Sequence, residues 1–431
     1  MKLHAFFFLL GLAVAAGSTA PGGEPAPSAG VSAADCLLAS GRPIRIVCFG
    51  DSVTGVYYHT GGRRAWSDAL GLALERLYPG SRPQMINAGV SGNTTAQGLA
   101  RMDSDVLARD PQLVVVMFGL NDIARGSGPG EFRSNLGQII EGIRRRGAEV
   151  VLMTPNPVYA DDPARPPERV AEYAQVVREA GRELGVPVAD CFRSFGSVRS
   201  VEPRAWEGLM SDSIHPNMRG HELIAEEAAL VISGRRLALG DLPPRSPALP
   251  RTLSKLRAGL PVRVIAMSPC DEFVGPALRG LFPGARVEVI AWKPDRKGLA
   301  EIAEQAKEIG WRRFYENRAT ADEEPDLVVV AVPAGALAPT ASGFHRSYNA
   351  ILNGALPMGR GGWDFVALLP SALQPDLDPA QRTSEALARD VIEGKDVALI
   401  AREQADAAPA AKLFSRRLAG LLGLNPVPIK P

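Results

Sequence analysis

Little in this sequence announces itself by excess. Only four cysteines are spread over 431 residues, so a disulfide framework is not what holds the chain together. Charge of one sign is missing as well. Lys plus Arg number 48 against 47 Asp plus Glu, a formal net charge of +1. That balance excludes the strongly basic surface on which nucleic-acid binding depends. Long apolar runs are missing too, except for residues 5–16. A membrane span needs about 20 such residues, so no integral membrane segment is expected in the mature chain. What is plentiful is a hydrophobic fraction of 46%, which suits a globular core and rules out disorder throughout. Gly (44) and Pro (36) are frequent, and they gather in a leader, a linker and turn positions.

The first residues read as an address. Lys2 precedes the apolar run, and small residues follow at Ala15, Ala16, Gly17, Ser18 and Ala20, as a cleavable secretory signal requires. Residues 1–20 are expected to be a signal peptide cut near Ala16 or Gly17, and the mature protein to be exported, periplasmic or secreted. No cysteine closes the run, so lipid attachment is not expected. Residues 21–40, rich in Gly, Pro, Ser and Ala, read as a flexible tether. The length allows two or three domains at about 150 residues each. Composition places them at 41–235 and 261–425, joined by a Pro- and Arg-rich linker at 236–260.

From Pro43 short β-branched runs alternate with longer amphipathic ones, the pattern of an α/β chain with a parallel sheet. Strands are expected at 44–49, 84–88, 113–118, 150–154 and 186–189. Helices fit near 66–77, 94–108, 130–146, 168–184 and 218–232. The unbroken apolar run at 113–118 implies burial on both faces. Open sheets of this kind bind ligands beyond the carboxyl ends of their strands.

The chemistry-bearing residues fall at those ends. Strand one runs into Gly50-Asp51-Ser52-Val53-Thr54, a tight turn able to present a serine hydroxyl at the sheet rim. Strand two ends in Asn87-Ala88-Gly89-Val90-Ser91-Gly92-Asn93-Thr94, where Gly92 lets backbone approach a ligand ahead of a helix start. Strand three ends in Gly119-Leu120-Asn121-Asp122. After the fifth strand comes Ser211-Asp212-Ser213-Ile214-His215-Pro216-Asn217, just before the last helix. A serine nucleophile needs a base, and an imidazole suits. The base needs a carboxylate to fix its tautomer and stabilise the imidazolium formed during attack. Each block alone is commonplace: a Gly-Asp-Ser turn is usually only a turn, and Asp-x-x-His before a helix is usually a cap. Four blocks in one order, all facing one rim, point to catalysis.

The blocks resemble those of the SGNH hydrolase superfamily, also called GDSL esterases and lipases, over residues 43–232. The resemblance implies a flavodoxin-like three-layer α/β/α fold with a parallel sheet. It implies no metal and no organic cofactor. It further implies Ser52 as nucleophile, His215 as general base and acid, and Asp212 as its orienting carboxylate. The oxyanion hole would combine the Ser52 and Gly92 amides with the Asn121 side chain.

Other groups have plainer readings. His59, Tyr57 and Tyr58 follow the nucleophile turn and either line an acyl or sugar pocket or pack the loop. His221, inside a helix, reads as a solvated surface residue. Arg144-Arg145-Arg146 closes a helix, where cations favour the dipole. Cys48 and Cys191 read as buried thiols, and the sequence does not choose a pairing among Cys36, Cys48, Cys191 and Cys270.

The second half reads as an eroded copy of the first, a degenerate α/β domain of similar layout. Pro261-Val-Arg-Val-Ile parallels Pro43-Ile-Arg-Ile-Val, and Leu281-Phe-Pro-Gly-Ala-Arg parallels Leu77-Tyr-Pro-Gly-Ser-Arg. Gly298-Leu-Ala parallels Gly98-Leu-Ala, and Pro325-Asp-Leu-Val-Val-Val parallels Pro111-Gln-Leu-Val-Val-Val. In that register Ser268, Pro269 and Cys270 stand opposite Gly50, Asp51 and Ser52, and Gly335 stands opposite Asn121. Ala405 and Ala408 replace Asp212 and His215. His345 lies on a helix away from the strand ends, so the copy is expected to be catalytically silent.

An exported, near-neutral enzyme without exposed lipid-binding segments fits removal of acetyl or other short acyl groups from a small-molecule or polysaccharide ester. Tyr57, Tyr58 and Trp66 either stack on sugars or pack the core. A lipase, lysophospholipase or thioesterase with a longer acyl slot is the alternative, and a glycan-binding protein with weak esterase activity is another. The sequence leaves the oligomeric state open.

Overall fold

The computed structural model describes residues 32–294, 297–311, 324–359, 362–404 and 406–424. The expected signal peptide lies outside the described residues, as does Ala405. Five strands, β1 (Ile44–Gly50), β2 (Pro83–Gly89), β3 (Leu113–Met117), β4 (Glu149–Met153) and β5 (Val188–Ala189), form one sheet in the order β2-β1-β3-β4-β5. Every pairing is parallel, with Ile46 beside Leu113 and Val47 beside Ile86. Ile46 to Phe49 and all of β3 are buried, as an uninterrupted apolar run requires.

The order dictates where helices go. Parallel crossovers are right-handed, so the step from β1 to β2 and the steps from β2 through β5 must use opposite faces. Accordingly helix Trp66–Leu77 packs with Met218–Ser233, while Thr95–Asp105, Pro129–Arg145 and Pro167–Leu184 pack in series. The chain departs from β1 in one direction and from β3 in the other. The crevice beyond their carboxyl ends is therefore the switch point at which such sheets hold ligands.

Four helices differ from the sequence expectation. Part of the expected tether is helix Ser32–Ala39, because Ala34 and Leu38, one turn apart, are both buried against the first core. Glu149 accepts from the Ala33 and Ala34 amides, satisfying its start. Leu120–Ala124 coils directly after β3, and Cys191–Val201 and Pro203–Glu207 precede the histidine loop. These are short or capped by single side chains, such as Asp190 accepting from Arg193 N–H, and so leave little periodicity to read.

A second parallel sheet holds β6 (Val262–Met267), β7 (Val287–Trp292), β8 (Leu327–Val330), β9 (Asp364–Leu368) and β10 (Ala398–Ile400). Its order, β10-β9-β8-β6-β7, read from the other edge repeats the first sheet strand for strand. The stretch expected as linker contains helix Pro250–Arg257, whose Leu253 and Leu256 belong to the second core, whereas Leu239 belongs to the first. The two units press on one another. Arg64 and Asp396 form a buried ion pair at 2.7 Å, and Ser342 donates to Glu207 at 2.8 Å. No helix among the described residues is long and apolar enough to cross a membrane.

Candidate active site

Ser52 follows β1 directly. Gly50 makes the turn possible, since a Cβ there would lie 2.5 Å from the Met117 carbonyl oxygen on β3. Asp51 holds the turn from within, accepting from Val53 N–H at 2.9 Å and from the Asn121 amide at 3.3 Å. Burial pushes the Asp51 carboxyl up to about 6.

His215 arrives from the far end of the domain. The loop 211–215 closes on itself, with Ser211 N–H donating to the His215 carbonyl at 2.8 Å, and Asn217 caps the following helix. The Ser52 hydroxyl lies 2.9 Å from His215 Nε2. On the other side of the ring, Nδ1 lies 2.9 Å from Asp212 Oδ2 and 3.1 Å from Oδ1. Oδ1 also accepts from the Ile214 and His215 amides at 2.9 and 2.8 Å. Burial opposes ionisation of Asp212, but the His215 ring and these donors outweigh it and hold the carboxyl well below its usual range.

The structure thus brings Ser52, His215 and Asp212 into one relay. It also gathers the three expected oxyanion donors at the same rim. Gly92 has φ 76°, in the left-handed region that favours glycine. Asn121 is fixed through its amide, which donates to the Asn93 carbonyl at 3.1 Å, and through its carbonyl, which accepts from Arg165 at 3.4 Å. Among the described residues neither Ser52 N–H nor Gly92 N–H donates to another protein group. Both amides are therefore available to a ligand. Asp122, next to Asn121, accepts from Thr95 N–H at 3.0 Å and anchors the start of the helix after the Gly92 loop.

Several side chains behave differently from expectation. His221 is fully buried, not solvated, and its Nδ1 accepts from Trp66 N–H at 2.9 Å. His59 is also fully buried, stacks on the His215 ring at 4.8 Å and lies 5.2 Å from His221. Its Nε2 is 3.0 Å from the Ser52 carbonyl, so the ring packs the nucleophile loop. Burial keeps both rings neutral, pushing His221 down to about 3 and His59 well below its ordinary value. Trp66 is core, with no exposed face for a sugar. Tyr57 accepts from Ser91 N–H at 3.0 Å.

Tyr58 was legible only as a loop aromatic, yet its hydroxyl donates to Asp212 Oδ2 at 2.8 Å. No motif spacing marks that contact, because it joins two loops 154 positions apart. All four cysteines are free, Cys36 exposed and the others buried. Burial pushes the Cys270 thiol up to about 12, away from the reactive thiolate. Arg144 grips the carbonyls of Leu184 and Gly185 at 2.7 and 2.9 Å. Among the described residues no group of three or more His, Cys, Asp and Glu is placed to hold a metal ion.

Residues 48–223 match the GDSL-like lipase/acylhydrolase family. An acetylxylan esterase of Geobacillus stearothermophilus is 28% identical over 165 residues, covering 35% of this chain and 73% of its own. An arylesterase of Vibrio mimicus is 29% identical over 195 residues, covering 45% and 91%. The solved lipase/acylhydrolase of Enterococcus faecalis is 29% identical over 46% of this chain and 98% of its own, with a TM-score of 0.38. With that match lying across the switch-point crevice just described, residues 48–223 belong to the GDSL-like lipase/acylhydrolase family of SGNH hydrolases, and the chain is a serine ester hydrolase.

Proposed function

We propose that Ser52, His215 and Asp212 are the catalytic triad of an exported esterase that removes short acyl groups, chiefly acetyl, from carbohydrate. The observation that carries the reading is the unbroken relay: Ser52 Oγ to His215 Nε2 at 2.9 Å, and His215 Nδ1 to Asp212 at 2.9 Å. Asp212 fixes the tautomer with the proton on Nδ1, leaving the Nε2 lone pair toward the serine hydroxyl. As Ser52 Oγ attacks the ester carbonyl, His215 takes its proton, and the imidazolium so formed is paired with Asp212. The amides of Ser52 and Gly92 and the Asn121 side chain accept the oxyanion. The imidazolium then protonates the departing alcohol, leaving an acyl-Ser52 ester. Water attacks that ester from the same side and gives its proton to His215, which passes it to Ser52 Oγ as the acyl–oxygen bond breaks, releasing the acid and restoring the serine hydroxyl.

Carbohydrate esters are favoured by the acetylxylan esterase relative, and export by Lys2 and the apolar run at residues 5–16. Shared strand order supports descent of the carboxyl-terminal unit from a second copy of the same domain. That unit would be catalytically silent, since Ser268-Pro269-Cys270 stands where the nucleophile turn would be, with Cys270 buried. Release of acetate from a panel of acetylated polysaccharides, with Ser52→Ala as control, tests the reading. Acetate release lost in Ser52→Ala supports it. A preference for long-chain p-nitrophenyl esters with no polysaccharide deacetylation would redirect it to a lipase or thioesterase substrate.

A further inference from the structure

The carboxyl-terminal unit reaches the triad by two routes. The first passes through Ser211, the buried residue immediately before Asp212. Asn353 donates to the Ser211 carbonyl at 2.9 Å and accepts from its hydroxyl at 3.1 Å. Lys395, fully buried at the end of helix Pro379–Gly394, donates to Asn353 Oδ1 at 2.6 Å and to the Ser211 hydroxyl. No carboxylate pairs with Lys395 among the described residues. Burying an unpaired ammonium is costly, and burial pushes Lys395 down to about 7, against a smaller opposing pull from Asp212. A surface lysine tied to a loop would carry no such cost.

The second route is Tyr58. Its ring is part of the carboxyl-terminal core and packs edge-on against Trp311 at 5.9 Å, while its hydroxyl donates to Asp212 Oδ2. The first route ends on Ser211, one residue before Asp212, and the second on the Asp212 carboxylate itself. Asp212 Oδ1 is held by two amides of its own loop, and Oδ2 is shared by the His215 ring and Tyr58. Both oxygens are thereby fixed in direction, and the carboxylate has no freedom to rotate away from the imidazole.

We propose that the carboxyl-terminal unit is a positioning part of the catalytic site, in which Tyr58 and the Asn353–Lys395 pair hold Asp212 and the loop that carries His215. The proposal rests on reading Asp212 and His215 as the relay. The Tyr58 hydroxyl also lies 3.3 Å from His215 Nδ1, but none of Tyr58, Asn353 and Lys395 is bonded to Ser52 Oγ or His215 Nε2, so they act by placing Asp212 and the His215 ring. Among the described residues, the charged and titratable groups around the relay are Asp51, Tyr58 and His59 from the nucleophile loop, Tyr159 from the loop after β4, His221 from helix Met218–Ser233, and Lys395 from the carboxyl-terminal unit.

The test uses the full chain with Tyr58→Phe, Lys395→Met and Asp212→Ala. Tyr58→Phe keeps the ring on Trp311 and removes only the hydroxyl. Turnover per titrated serine is expected to fall about tenfold at unchanged KM. The acid limb of kcat/KM should move to higher pH, because the carboxylate then turns more of its charge on the imidazolium. Lys395→Met is expected to lower kcat in the same way. Loss of activity in Asp212→Ala, with Tyr58→Phe and Lys395→Met within twofold of the parent and the acid limb unmoved, would overturn the proposal and leave the relay standing. If Lys395→Met does not fold, Tyr58→Phe decides by itself. Parent-level turnover in Asp212→Ala would instead overturn the relay, and this proposal with it.

Discussion

Replacing Asp212 with asparagine probes the relay with the least change of shape. The carboxylate accepts from two amides at Oδ1 and from His215 Nδ1 and Tyr58 at Oδ2. Asparagine has one acceptor oxygen. If that oxygen stays with the loop amides, the NH2 group faces His215 Nδ1 and Tyr58. The ring must then present a lone pair at Nδ1 and carry its proton on Nε2, facing a serine from which it can no longer accept. The charge is lost as well. A carboxylate about 4 Å from an imidazolium contributes about 4 kcal/mol at an effective dielectric constant of about 20. That alone corresponds to roughly 10³ in rate. The same replacement in a Ser-His-Asp protease costs about 10⁴. Turnover of p-nitrophenyl acetate by Asp212→Asn should therefore fall 10³–10⁴-fold, with KM little changed. A loss under tenfold in a folded variant would refute the reasoning.

Two further outcomes follow from the same geometry. Asn121→Ala removes a donor held between the Asn93 carbonyl and Asp51, and should cost about 10²–10³ in kcat, read from steady-state kinetics on a short-chain ester. His221 is held neutral by burial, down to about 3 in the folded state. Below pH 6.5 the unfolded chain therefore binds a proton that the folded one refuses, and this group's share of stability is lost as pH falls toward 3. The contribution is about 1.4 kcal/mol per pH unit across that window. Urea unfolding of His221→Leu should show a shallower loss between pH 6.5 and 4 than the parent chain, and parallel curves would contradict it.

The sheet was largely legible because its signal is local and repeated. The apolar runs of β1 and β3 can satisfy burial only as central strands, and the helices at 66–77 and 168–184 carry a clear apolar stripe. The relay residues were legible through motif resemblance, each block standing at a strand end that topology brings to one crevice. What escaped was set by contacts distant in sequence. Helix Ser32–Ala39 sits in a region whose small residues read as tether, and only the docking of Ala34 and Leu38 makes it helical. His221 looked solvated because its helix is polar beside it, yet it faces His59 and the Trp66 amide. Tyr58, Asn353 and Lys395 carry no local signature, since their meaning lies in two units meeting at one loop.

Covalent trapping of the serine tests the central claim most directly. Incubating the full chain with a fluorophosphonate and mapping the adduct by mass spectrometry should place one phosphonyl group on the peptide containing Ser52. Labelling should be lost in Ser52→Ala and strongly slowed in His215→Ala. An adduct confined to another residue, or ester turnover that survives complete modification or removal of Ser52, would contradict the account.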